Sequence, residues 1–153
     1  MKTDGVRRLN AVNKGIVWVF YAAYAGLLVW ACVVDAWKVL PLLGVPAVGF
    51  VLVSVARARI NAPRPYENGG PAPRIERDGE GKSFPSRHAF SAFAIATSWF
   101  AACVPMGVVL IVAAVVLAVL RVKGGVHFPC DVVAGAACGI AVGALAAALA
   151  MAL

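Results

Sequence analysis

Charged side chains are scarce in this sequence, and their scarcity excludes an ordinary soluble domain. Of the 153 residues, 14% are charged and 62% are hydrophobic, and the mean hydropathy is +0.87. Soluble domains are typically about half apolar and about a quarter charged. The composition therefore predicts an integral membrane protein.

Acidic residues are scarcer than basic ones, with 7 against 14, so the net charge is +7. Such an excess could indicate a nucleic-acid partner. The basic residues, however, lie at the ends of apolar segments, where they contact lipid phosphates or set the orientation of the spans. We therefore expect membrane lipids as partners and no nucleic acid.

Cysteine is limited to four residues, and no two of them form a CxxC pair. Three lie inside apolar runs, where cysteine behaves as a small hydrophobic residue. The pattern predicts neither a disulfide nor a metal site at Cys32, Cys103, Cys130 and Cys138.

Apolar runs make up most of the chain. A membrane-spanning helix needs about 20 apolar residues, and the candidate runs are 16–34, 39–56, 90–104, 105–120 and 132–153. Pro105 stands where a proline opens a helix, and Gly135, Gly139 and Gly143 have the spacing of closely packed membrane helices. The sequence predicts an all-α polytopic bundle of about five transmembrane helices, in a single domain over 1–153.

Polar residues concentrate in two connecting segments, 57–87 and 121–131, which contain both histidines of the chain. With five spans, these segments and the basic N-terminus lie at the same membrane face. Polar groups between membrane spans are costly unless they are paired or functional. We therefore expect a functional site at that face.

Arginine and histidine in these segments favour phosphate chemistry. Guanidinium groups match phosphate oxygens with paired hydrogen bonds, and fixed cations lower the barrier to phosphoryl transfer. One histidine can attack phosphorus while a carboxylate fixes its tautomer. Asp131 lies four residues after His127 and reaches the ring if a helix begins near Pro129. The second histidine, His88, can protonate the departing alkoxide.

A metal site is the competing interpretation, because two histidines and Asp131 could hold zinc. Arginines beside a dication are repulsive, however, and they already supply the charge stabilisation that a metal would provide. We therefore expect no metal and no cofactor.

Three motifs follow one another in the second part of the chain: RARINAPRP from Arg57, PSRH from Pro85, and LRVKGGVHFPCD over 120–131. In order and spacing they resemble the signature of the type 2 phosphatidic acid phosphatases, the superfamily that also holds the vanadium haloperoxidases. That signature reads KxxxxxxRP, PSGH and SRxxxxxHxxxD. The resemblance covers about 57–153 and agrees with an all-helical membrane protein. It implies that 57–153 is the signature-bearing catalytic core, with its active site at one membrane face, and that 1–56 supplies N-terminal spans.

The resemblance implies a role for each matching position. His127 is implied to be the nucleophile that forms a phosphohistidine, Asp131 its orienting partner, and His88 the general acid that later activates water. The groups implied to bind the phosphate oxygens are Arg57, Arg64, Arg121, Ser86 and the backbone N–H of Arg87.

Three positions depart from the family pattern. Arg57 stands in place of lysine, which keeps the charge and changes its reach, and Leu120 replaces a serine. Arg87 replaces the glycine that lets the backbone approach phosphate, so Arg87 either adds a fourth cation or points away. None of the three removes a proton-transfer group, and activity is expected.

The function implied is that of a metal-independent lipid phosphatase, acting on a phosphate or diphosphate monoester of a long-chain lipid. Candidate substrates are undecaprenyl pyrophosphate, phosphatidylglycerol phosphate, phosphatidic acid and a polyprenyl-phosphoryl sugar phosphate. Two alternatives stay open. One is a vanadate-dependent haloperoxidase, and the other is a catalytically idle membrane protein that binds anionic lipid.

The expected topology places the active site at the cytoplasmic face of a prokaryotic inner membrane. Membrane members of the family commonly have six spans, and this chain has five candidates, so the N-terminus and the site are expected to share a face. Basic residues outside the implied site mark that face as cytoplasmic by the positive-inside rule. They are Lys2, Arg7, Arg8, Lys14, Arg59, Arg74, Arg77, Lys82 and Lys123.

Overall fold

The computed structural model describes residues 2–75 and 80–153, and within these ranges the chain is helical and contains no strand. The predicted all-α class is confirmed, and the described residues form five α-helices, as expected. They are α1 (Lys2–Val34), α2 (Val39–Ile60), α3 (Arg87–Ser98), α4 (Val104–Lys123) and α5 (Pro129–Ala152).

Four of these helices are long and apolar enough to cross a membrane, so the protein is an integral membrane protein. The four candidate spans are Asp4–Val34, Ala36–Ile60, Val104–Lys123 and Pro129–Ala152.

The third helix differs from the predicted span 90–104. α3 has 12 residues, a length of about 18 Å, and a 3₁₀ turn, Trp99–Ala101, follows it. Eight of its residues are buried. α3 is therefore a core helix that its neighbours surround, and the break before α4 comes where Pro105 starts the next helix.

A stripe of glycines joins α3 to α5. A Cβ atom on Gly135, Gly139 or Gly143 would collide with the backbone carbonyl oxygen of Ser86, Phe90 or Ala94, respectively. The predicted close packing of helix backbones is confirmed. Because each glycine lies one turn beyond the last, the stripe fixes the axial register of the two helices and holds their first turns side by side.

Apolar side chains fill the centre of the bundle and also cover its outside. Phe20, Phe93 and Leu117 belong to one core cluster of α1, α3 and α4. Many large apolar residues such as Trp18 and Val109 are exposed. An outer surface of this kind suits lipid, whereas a soluble protein exposes no contiguous apolar surface of such extent.

The two ends of the bundle differ in composition. At one end, here called the far end, Lys38 Nζ donates a hydrogen bond of 2.6 Å to the carbonyl oxygen of Ala150, and Asp35 caps the 3₁₀ turn before α2. At the other end, here called the loop end, the segment after α2 meets the segment after α4. The Arg74 N–H donates to the Gly124 oxygen at 2.8 Å. The two polar segments therefore lie at one end, as predicted.

Candidate active site

The long polar segment after α2 is organised around Arg64 and Glu67. The Glu67 carboxylate accepts hydrogen bonds from the backbone N–H of Arg64 at 3.0 Å and of Gly81 at 2.7 Å. The Arg64 guanidinium donates from Nε to the Gly81 oxygen at 2.9 Å and from Nη1 to the Val126 oxygen at 3.5 Å. These bonds close the loop and place Arg64 against the segment that leads to His127.

Arg64 is fully buried, and the two other arginines that the family resemblance implies to bind phosphate, Arg57 and Arg121, are buried as well. Arg57 is 3% exposed, Arg64 0% and Arg121 2%. Arg57 comes from the last turn of α2, and its Nη1 donates to the Pro85 oxygen at 3.2 Å, next to Ser86. Arg121 comes from the last turn of α4. Guanidinium groups match phosphate oxygens with paired hydrogen bonds, so several buried guanidiniums at one end suit an anionic ligand.

His127 lies between α4 and α5 and contacts the first turn of α5. Since α5 begins at Pro129, as the sequence predicted, Asp131 is in position to contact the ring. Its Oδ2 atom is 3.4 Å from His127 Nδ1, and it accepts a hydrogen bond of 2.9 Å from the Phe128 N–H. The carboxylate is thereby held by the backbone of its own helix start.

Ser83 completes this group, and sequence reasoning missed it. Its side chain is fully buried. Its hydroxyl donates to Asp131 Oδ2 at 2.5 Å, and its oxygen lies 3.4 Å from His127 Nδ1. A carboxylate only accepts hydrogen bonds, so the single hydroxyl proton of Ser83 belongs to the contact with Asp131. The signal available in the sequence was a serine two residues before the PSRH motif.

The tautomer of His127 follows from these contacts. Both partners of Nδ1, the Asp131 carboxylate and the Ser83 oxygen, act as acceptors, so Nδ1 carries the ring proton. The other nitrogen, Nε2, then has a bare lone pair. In the described part of the chain, Nε2 is buried and has no hydrogen-bond partner, and the same holds for Arg64 Nη2.

Burial lowers the pKa of His127 below its usual value of about 6.5. The hydrogen bond with Asp131 opposes this change, whereas the charges of Arg121 and Arg64 lower the pKa further. The ring is therefore neutral at neutral pH, which is the protonation state that a nucleophile needs.

The PSRH motif forms the start of α3. The Ser86 N–H donates to the backbone carbonyl oxygen of Asp131 at 2.9 Å, and the Ser86 side chain caps α3. His88 and Arg87 follow in the first turn, where both are half-buried and line a cavity of about 390 Å³ on the side of α1 and α2. The Arg87 guanidinium carbon lies 6.0 Å from the centre of the Phe50 ring. Arg87 therefore adds a cation to the cavity wall.

The structure thus gathers the implied residues into two neighbouring groups. One comprises His127, Asp131, Arg64 and Arg121, and the other comprises His88 and Arg87 on the cavity side of α3. Arg57 and Ser86 lie at the connection between them, through the Pro85 carbonyl oxygen and the Asp131 backbone. Such a set combines a neutral imidazole with fixed cations, which is the equipment for attack on a phosphate ester.

Comparison with known proteins decides the family. The model of the PAP2 superfamily matches residues 38–152, three quarters of the chain and all three motifs. The chain belongs to the PAP2 superfamily. It is therefore a phosphatase, and its membrane-spanning helices make it a membrane lipid phosphatase in general terms.

Solved structures agree with this membership. Aquifex aeolicus LpxE is 26% identical over 94% of this chain and 92% of its own, with a TM-score of 0.67. A transmembrane PAP2-type phosphatidylglycerolphosphate phosphatase from Bacillus subtilis is 22% identical over 96% of this chain and 75% of its own, with a TM-score of 0.69. The second likeness shows the fold alone. No curated protein matches the chain significantly in sequence.

Proposed function

We propose that this PAP2 protein hydrolyses a phosphate or diphosphate monoester of a long-chain lipid, without a metal ion, through a phosphohistidine at His127. One observation carries the proposal. The buried Nε2 atom of His127 has no hydrogen-bond partner in the described part of the chain, and Arg64 and Arg121 are near enough for their charges to lower the pKa of the ring. An anion bound beside Nε2 would contact the nucleophile and would also be attracted by the Arg64 and Arg121 guanidiniums.

Substrate binding uses fixed positive charge. The scissile phosphate would be held by the guanidiniums of Arg57, Arg64 and Arg121, with Ser86 and the Arg87 backbone N–H as further donors. Because these arginines are buried, their attraction to an anion is stronger than at a solvated surface. They are preorganised, so little reorganisation is needed as charge shifts in the transition state.

In the first chemical step, the His127 Nε2 lone pair attacks phosphorus and forms the N–P bond. The bond between phosphorus and the lipid oxygen breaks, its electron pair stays on that oxygen, and His88 donates a proton to it. Asp131 holds the Nδ1–H of the ring, which becomes cationic on phosphorylation. The products are free lipid alcohol, or lipid monophosphate from a diphosphate, and the phosphoenzyme.

In the second step, water replaces the histidine. His88, now deprotonated, accepts a proton from the attacking water, the new O–P bond forms, and the N–P electron pair returns to Nε2. Inorganic phosphate leaves, and both histidines regain their starting protonation. The candidate substrates are undecaprenyl pyrophosphate, phosphatidylglycerol phosphate, phosphatidic acid and a polyprenyl-phosphoryl sugar phosphate.

The test is phosphate release from this lipid panel, in detergent with EDTA, by the wild-type protein and by His127→Ala. We expect turnover by the wild type and a loss of about 10⁴-fold or more in the variant. Acid-labile, base-stable phosphate should be trapped on the wild-type protein. Hydrolysis that persists in His127→Ala would refute the assignment of the nucleophile. Bromide oxidation on addition of vanadate would favour a haloperoxidase, and lipid binding without turnover an idle lipid-binding protein.

We further propose that the loop end faces the cytoplasm of a prokaryotic inner membrane. Basic residues gather toward that end and include Arg59, Arg74 and Lys123 among the described positions, while Arg77 lies outside the described residues. Loops rich in lysine and arginine are retained on the cytoplasmic side.

Two native cysteines allow a test of this orientation. Cys103 precedes α4 at the far end, and Cys130 lies in the first turn of α5 at the loop end, and both are exposed. In variants that keep one of them, a membrane-impermeant maleimide added to spheroplasts should label Cys103. It should label Cys130 only after permeabilisation. The reverse pattern would put the site on the outer face.

A further inference from the structure

The cavity beside α3 is amphipathic. Arg87, His88 and Ser91 supply its polar wall, and apolar residues of four helices supply the rest. These apolar residues include Val17, Phe20, Phe50, Ile95 and Leu117.

The polar part of this cavity lies toward the loop end. Leu117 lines the cavity, and Arg121 lies one turn further along α4. Phe50 lines it from α2, and Arg57 lies two turns further along that helix. Both helices therefore run from the apolar wall toward the buried arginines. A lipid bound here would have its chain among apolar side chains and its headgroup at the site.

Arg87 is not explained by the needs of the fold. Ser86 already caps α3, and a cation in the first turn of a helix opposes the helix dipole. In the described part of the chain, the Arg87 guanidinium contacts the face of the Phe50 ring, and no carboxylate pairs with it. The family signature has glycine at this position. A half-buried guanidinium without an acidic partner is suited to an anion that comes with the ligand.

The neighbouring His88 tells which part of the ligand this anion belongs to. A general acid must lie beside the oxygen that leaves phosphorus, so the cavity wall that carries His88 faces the leaving group. Arg87 belongs to the same wall and the same helical turn. Any group that the Arg87 guanidinium binds is therefore attached to the leaving oxygen, whereas the Arg87 backbone N–H is the donor proposed for the phosphate that is transferred.

We propose that Arg87 binds a second phosphoryl anion on the leaving group, so that the preferred substrate is a lipid with an anionic phosphate between the scissile ester and the chain. This inference rests on the proposed function. It selects diphosphates and phosphodiester-linked headgroup phosphates over phosphatidic acid, whose leaving group, diacylglycerol, is neutral. With a diphosphate, the bridging P–O bond breaks, its electron pair goes to the lipid monophosphate, and Arg87 stabilises that product.

The experiment compares farnesyl diphosphate with farnesyl monophosphate, two substrates that share one chain and differ by one phosphoryl group. Arg87→Gln removes the charge, and Arg87→Gly restores the residue of the family signature. For both variants we expect kcat/KM on the diphosphate to fall about ten- to a hundredfold. On the monophosphate it should change less than about threefold, and Arg87→Lys should retain part of the preference.

A matched control is Arg59→Gln, which removes an exposed arginine of α2 and should alter neither substrate. Equal losses on both substrates, or no loss on either, would overturn the inference while leaving the phosphatase intact. Absence of turnover on both substrates by the wild-type protein would instead count against the proposed function. Thermal unfolding in detergent identifies a variant that fails to fold, and the remaining Arg87 variants then decide.

A third substrate separates the two sources of the second anion. Phosphatidylglycerol phosphate carries a phosphodiester several bonds from the scissile ester, whereas in a diphosphate the second phosphoryl group is directly bonded. If Arg87→Gln reduces turnover of phosphatidylglycerol phosphate more than that of farnesyl diphosphate, a diester-linked substrate is indicated. The opposite order indicates a lipid diphosphate.

Discussion

The two ends of the bundle use cations in different ways. At the far end, Lys38 Nζ is engaged by the carbonyl oxygen of Ala150, where it meets the negative end of the α5 dipole. At the loop end, Arg64 is completely buried and keeps one guanidinium nitrogen without a partner in the described part of the chain. The cation at the far end serves the fold, whereas the one at the loop end retains hydrogen-bonding capacity for a ligand.

This contrast makes Arg64→Lys the most damaging conservative change. A lysine keeps the charge but cannot donate to the Gly81 and Val126 oxygens and to a phosphate with the same planar fork. We expect kcat/KM to fall about 10²- to 10³-fold, the size found when one fixed donor to a transition-state oxyanion is lost. The rate of phosphate release in detergent, measured over a range of substrate concentrations, gives kcat/KM for the variant and the wild type.

Arg59→Lys is the matched control, since it makes the same replacement at an exposed position of α2. It should leave kcat/KM within about twofold, in line with the small effect of surface substitutions. Similar losses of kcat/KM at the two positions would mean that the burial of an arginine does not indicate a role in catalysis.

Ser83→Ala tests the acceptor network around His127. Removing the hydroxyl takes one hydrogen bond from Asp131 and one acceptor from Nδ1, so the ring is less firmly held in the attacking tautomer. We expect kcat to fall about ten- to a hundredfold with KM little changed, within the range usual for removing one hydrogen bond to a charged group.

Ser83→Thr restores the hydroxyl and is expected to recover part of the loss. A purely structural role for Ser83 would instead lower the melting temperature without a selective effect on kcat. The pH profile of kcat/KM gives a second readout, because a weakened hold on Asp131 changes the pKa of His127 while a packing defect does not.

The acid limb of the pH profile tests the electrostatics of the loop end. A nucleophile must be unprotonated, so kcat/KM falls as the pH drops below the pKa of His127. Since burial and two arginines lower that pKa, we expect the limb to lie below about pH 6.5. Arg121→Gln removes a charge that lowers the pKa, and should move the limb upward. Asp131→Asn removes a carboxylate that raises it, and should move the limb downward.

These directions follow from the sign of each neighbour's charge. A limb above the usual histidine value in the wild-type protein would contradict a buried, cation-flanked nucleophile. A limb that does not move in Arg121→Gln would mean that Arg121 does not act on the ring.

Sequence reasoning predicted the helices and the contact between His127 and Asp131, because both depend on local rules. A long apolar run marks a span. Pro129 marks a helix start between His127 and Asp131, and this start brings the two side chains, four residues apart, within contact distance. It did not predict that α3 would be a short core helix, since its apolar composition is the same whether lipid or other helices surround it.

Sequence reasoning also missed Ser83 and Glu67. Both lie in a loop whose shape is set by bonds to distant residues, 48 positions away for Ser83 and Asp131 and 14 for Glu67 and Gly81. No periodic pattern in the sequence indicates contacts between residues so far apart in the chain. The role of Arg87 stayed open for the same reason, because its direction depends on where α2 brings Phe50.

The smallest effect is expected at the far end. Lys38→Met removes the hydrogen bond to Ala150 and the favourable charge at the end of α5 but keeps a long apolar stem. We expect the free energy of unfolding in detergent to fall by about 0.5–1.5 kcal/mol, with kcat/KM unchanged. Loss of activity without loss of stability would show that the far end is coupled to the site, and the division of the bundle into a structural and a functional end would then be wrong.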